Sequence, residues 1–140
     1  MNRAEYRRVA LVRLADARAL LQARRYDGAY YLAGYVIECA LKACIARQFR
    51  VATIPEPRLV ADIYRRGHEL AALARLAGLE LAITAETRRD AQFGACWLTV
   101  QGWTVDSRYQ AGRTRLEAQN LYDSVADPGH GVLRWLQQHW

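Results

Sequence analysis

The sequence predicts an all-α fold, an antiparallel up-and-down helical bundle of about four main helices plus short terminal helices. Three observations carry this. Only three prolines interrupt 140 residues dominated by Ala, Leu and Arg, all good helix formers. Apolar residues recur at three- and four-residue spacing. β-Branched residues are sparse and regular turn signals are missing, which removes an all-β sandwich. The length fits one domain, 1–140, able to bury a core without disulfide or metal staples. With 52% hydrophobic and 24% charged residues, the composition is that of a globular chain and not of a disordered one.

Residues 2–24 read as the first helix. Asn2 can cap it, with Glu5 three positions later completing a capping box. Tyr6, Ala10, Leu14, Ala17 and Leu21 make one apolar face. Arg7, Arg18 and Arg25 lie along another stripe. The connection Tyr26-Asp27-Gly28 offers Asp27 as a cap for a second helix, about 28–49. That helix is apolar nearly all round, which places it in the middle of the bundle. Glu38 and Lys42 interrupt its apolar run, so it reads as a buried helix and not as a membrane span. The segment 50–61, broken by Pro55 and Pro57, reads as a loop. A short helix after His68 carries Leu70, Leu73 and Leu76 and stops at Gly78. Thr84 opens a longer helix to about Gly102, with Phe93, Trp97 and Val100 inward. A polar loop, 103–112, follows. The next helix, 114–126, ends at Asp127-Pro128-Gly129, and 132–140 forms a brief terminal helix.

Lys+Arg exceed Asp+Glu by 20 to 14, a formal charge of +6. Lys42 is the only lysine, so the excess is guanidinium. Such a surplus favours polyanionic partners such as nucleic acid or phosphorylated ligands. Three cysteines (Cys39, Cys44, Cys96) without a Cys-x-x-Cys pair fit neither a disulfide framework nor a zinc ribbon. No N-terminal signal is visible, so a cytoplasmic location is expected.

Four segments together resemble one family. They are Gly34-Tyr35-Val36-Ile37-Glu38-Cys39-Ala40-Leu41-Lys42-Ala43; Gly67-His68-Glu69-Leu70 with Leu73; Trp97 to Trp103 with Ser107-Arg108-Tyr109; and Gly131-Val132-Leu133-Arg134-Trp135-Leu136 ending at Trp140. In this order and spacing the chain resembles a HEPN domain over nearly its whole length. The resemblance implies an antiparallel helical bundle, a homodimer, and a separately encoded nucleotidyltransferase protein as partner in a toxin–antitoxin or defence-type system. Many members are metal-independent ribonucleases whose motif is an Arg, four to six residues and a His. Arg134 and His139 match it formally, although an apolar Trp135 follows the Arg. His139 would move a proton at a ribose hydroxyl or leaving oxygen, and Arg134 would stabilise phosphoryl charge. The other reading leaves both on the surface.

Further candidates for nucleotide or RNA binding are Lys42, His68, Arg108, Tyr109 and Arg113. Lys42 either pairs with Glu38 at the bundle edge or meets phosphate in a groove. His68 either caps the following helix or contacts ligand. Trp103, Arg108 and Tyr109, with Arg113 and Arg115 after them, mix stacking surface and charge as single-strand binders do. Alternatively, the aromatics anchor the loop. His130 reads as a solvated loop residue. The histidines share no ligand spacing, so no metal site is expected, and no cofactor is implied. A nucleotide- or RNA-binding protein is the first expectation. A ribonuclease using Arg134 and His139, or an adaptor that binds only protein, are the alternatives.

Overall fold

A computed structural model describes residues 1–48 and 68–140. Among them are seven α-helices, one 3-10 helix and no strand. The all-α bundle is thus the architecture of the described chain. The loop expected over 50–61 lies outside the described residues.

Helix α1 spans Arg3–Gln22 and opens with the expected capping box. Asn2 Oδ1 accepts the Glu5 N–H at 2.9 Å, and Glu5 Oε2 accepts the Asn2 N–H at 2.7 Å. Its inward stripe follows the sequence pattern: Ala10 and Ala17 are fully buried, with Tyr6, Leu14 and Leu21 packed beside them.

Three residues then turn the chain into α2, Tyr26–Gln48, which packs back along α1. This helix is the axis of the core. Val36, Ile37, Ala40, Leu41, Ala43 and Ile45 are wholly buried. Because neighbours cover it on several sides, apolar residues occupy nearly every register and no polar stripe remains. By length and mean hydropathy (1.3) it could cross a membrane, yet 78% of that stretch is buried inside the bundle. Gly34 has a specific purpose here. The indole of Trp103 lies where a Cβ at position 34 would stand, so only glycine admits that ring against the helix.

Helix α3, Leu70–Leu76, ends as expected at Gly78, which takes the left-handed conformation (φ 70°). The Leu79 N–H reaches the Ala74 carbonyl and the Gly78 N–H that of Arg75, a Schellman closure. The single helix expected from Thr84 to Gly102 is instead two, α4 (Glu80–Arg89) and α5 (Ala91–Gln101). Asp90 separates them in extended backbone. Its Oδ1 accepts the N–H groups of Gln92 and Phe93 at 3.1 and 3.3 Å. The apolar periodicity runs across this point, but a carboxylate that satisfies two backbone donors starts a new helix there.

A 3-10 helix, Val105–Tyr109, packs against α2. Helix α6, Arg115–Ala126, also packs on α2 and opens with a Thr114–Glu117 capping box. Helix α7 covers only Val132–Leu136, and residues 137–139 form a turn, so the expected helix to 140 stops short. Trp140 is buried nonetheless: Arg7 stacks on its ring and Arg3 donates to its carbonyl oxygen at 2.6 Å.

Candidate functional site

The end of α1, the start of α2 and the start of α6 meet in a strongly basic corner. Its shape begins with a helix stop. The Arg25 N–H bonds the Leu20 carbonyl at 2.8 Å and the Arg24 N–H that of Leu21 at 3.1 Å, a Schellman closure like that at Gly78. Here, however, the left-handed position (φ 62°) is filled by Arg24. A side chain in that conformation costs on the order of 1 kcal/mol.

Asp27, expected to cap α2, lies inside its first turn instead. Its carboxylate accepts the N–H groups of Gly112 (3.3 Å) and Arg113 (2.8 Å), tying the approach to α6 onto the start of α2. The Arg113 guanidinium then stacks on Tyr30, 3.9 Å from the ring centre, and pairs with Glu117 at 2.9 Å. That pairing and the Thr114 hydrogen bonds hold the Glu117 carboxyl below its ordinary range.

Two adjoining clefts open from this corner. One, about 430 Å³, is lined by Arg18, Gln22, Arg24, Tyr26, Arg115 and Tyr122 among others. The second, about 390 Å³, is lined by Arg24, Arg25, Tyr26, Asp27 and Arg113 among others. Arg24 and Tyr26 form the shared wall. Among the described residues Arg18, Arg24, Arg25 and Arg115 have no carboxylate partner. Unpaired guanidiniums converging on concave, aromatic-walled space suit a phosphate-bearing ligand.

Of the residues singled out in the sequence, Arg113 borders this corner. Lys42 and His68 meet elsewhere, on Glu38. That carboxylate is 1% exposed; Lys42 Nζ donates to it at 2.7 Å and His68 Nδ1 lies 3.0 Å from both its oxygens. His68 therefore does not cap α3, whose first turn has no side-chain cap. A buried carboxylate needs polar partners for its oxygens, and that demand draws the imidazole onto Glu38. The adjacent Cys39 thiol is pushed up to about 11 by burial, and burial raises the Tyr35 hydroxyl as well. Arg108 stacks on its own neighbour Tyr109, which is 77% exposed, so Tyr109 does not anchor the loop. Trp103 does, buried against Gly34 and Tyr31.

Arg134 and His139 are held by different partners. Arg134 is exposed and donates back to the Gly129 carbonyl at 3.1 Å. His139 lies against Trp135, the ring centres 4.4 Å apart and the planes tilted by 47°. Burial, helped by Arg47, lowers its proton affinity. His130 is not simply solvated: its Nδ1 lies 2.6 Å from Asp90 Oδ2. That hydrogen bond is the chief reason the Asp90 carboxyl sits below its ordinary range. His130 borders a third cleft of about 460 Å³, with Cys96, Asn120, Asp123 and Ser124. Among the described residues no three His, Cys, Asp or Glu side chains are arranged to hold a metal.

The sequence reading missed Arg24, Tyr26 and Tyr122 and saw Arg18 and Arg25 only as a helix stripe. The available signal was Arg24-Arg25 at a helix stop where glycine is usual. No family model matches this chain, and neither a curated protein nor a solved structure does.

Proposed function

We propose that this protein binds phosphate-bearing ligand, nucleotide or RNA, in the paired clefts between the α1–α2 turn and the start of α6. One observation carries the reading: four guanidiniums without carboxylate partners among the described residues border adjoining clefts, with Arg24 at their common wall. Guanidinium matches phosphate geometry, and a surplus of it unspent on internal ion pairs is available to an incoming anion. The positive charge of the whole chain adds long-range attraction.

Fluorescence anisotropy with a labelled RNA at fixed salt tests this. Arg24→Glu and Arg115→Glu should each weaken binding about tenfold or more, the worth of a charge-assisted hydrogen bond. Arg8→Glu, an exposed change on α1 that borders neither cleft, should have a small effect. Equal loss in all three variants would reduce the site to diffuse charge, and no binding by the unaltered protein would remove the reading.

A further inference from the structure

We infer that the ligand strand is single-stranded, with an unpaired base seated between Tyr26 and Tyr122 and its flanking phosphates on Arg24 and Arg115. This rests on the phosphate-binding reading above and adds to it the conformational class of the nucleic acid. The larger cleft has two tyrosine walls, three guanidiniums (Arg18, Arg24, Arg115) and two amides (Gln22, Gln119). Tyr26 and Tyr122 are half-buried and pack against the core, which holds their rings in place as cleft walls. Tyr30 differs, because Arg113 already covers its ring.

The volume, about 430 Å³, lies in the range of small-ligand sites and is concave. A duplex keeps its base faces stacked inside and offers a protein its backbone and groove edges. A single strand can splay one base onto an aromatic wall. The two amides line the same cleft and can serve a base edge; Gln119 donates one N–H to Asp123 (2.9 Å), and its carbonyl oxygen has no donor among the described residues. The second cleft continues past the shared Arg24–Tyr26 wall to Arg25 and Arg113. It gives the neighbouring phosphate a place to go, so the binding unit is a strand and not an isolated nucleotide.

The test compares a labelled oligouridine 12-mer, a blunt-ended RNA duplex of matched charge and uridine monophosphate at one salt concentration. The 12-mer should bind at least tenfold more tightly than either. Tyr26→Leu and Tyr122→Leu keep apolar volume toward the core and remove the aromatic face. Each should weaken 12-mer binding about fivefold or more and leave duplex binding unchanged, while Tyr26→Phe and Tyr122→Phe should retain wild-type affinity. Circular dichroism establishes that the variants are folded, and a Leu variant that unfolds is replaced in the comparison by Met. Equal binding of duplex and 12-mer, unchanged affinity in both Leu variants, or uridine monophosphate matching the 12-mer would each overturn the single-strand inference. All three of these outcomes would leave phosphate binding standing. Loss of all binding would remove both readings together.

Discussion

Arg24 is where conformational cost and chemistry meet. The Schellman closure after α1 requires a left-handed residue, and glycine fills the same position after α3. An arginine there forgoes on the order of 1 kcal/mol. It gains nothing from a carboxylate among the described residues, yet it stands on the wall between two clefts. Strain retained beside a concave basic surface points to a use for the side chain. Arg24→Gly should therefore separate stability from binding. Thermal or urea unfolding should show the variant unchanged or stabilised by up to about 1 kcal/mol, while RNA affinity falls about tenfold. A variant that unfolds more easily would mean that Arg24 stabilises the turn through contacts of its own. The basic corner would then lose the argument from strain.

Helix α2 shows how far periodicity reaches. Its apolar residues in every register predict a central helix, and so does its packing. Glu38 and Lys42, four apart, predict the pair observed at 2.7 Å. What spacing along one helix cannot reveal is the third member, His68, thirty positions away in the chain and joined only through the fold. Asp90 failed to show for a related reason. The apolar pattern around it is continuous, and only the competition of its carboxylate for two backbone donors splits α4 from α5. The basic corner was half legible, since Arg113 and Arg115 stand out as a pair, while Arg18, Arg24, Tyr26 and Tyr122 converge only when three helix ends are brought together. The buried pair itself allows a sharp measurement. Glu38→Gln leaves Lys42, largely buried, without its full counter-charge and should cost about 3 kcal/mol in urea unfolding. Joining it to Lys42→Met should restore most of that loss. Additive losses in the double variant would show that Glu38 stabilises the bundle through His68 and not through Lys42.

The chain as a whole carries +6, almost all of it on guanidinium, and two accounts of that charge lead to different titrations. If the arginines are dispersed ornament on a helical bundle, affinity for a single strand is low and no single position dominates. If they act through the paired clefts, the number of phosphates neutralised is set by the arginines that line them. Four of the five are free of carboxylates among the described residues, because Arg113 is already engaged by Glu117 and Tyr30. Each phosphate neutralised on a single strand contributes roughly −0.7 to the slope of log K against log salt, so four give a slope of roughly −3. Arg24→Gly should flatten it by roughly 0.7, as should Arg115→Ala, and the two together by twice that. Arg8→Glu changes the same net charge by more than either and should leave the slope nearly as it was. A slope that follows total charge instead of position would assign the binding to the general field of the molecule. A slope near zero would leave the surplus arginine without any role in phosphate recognition.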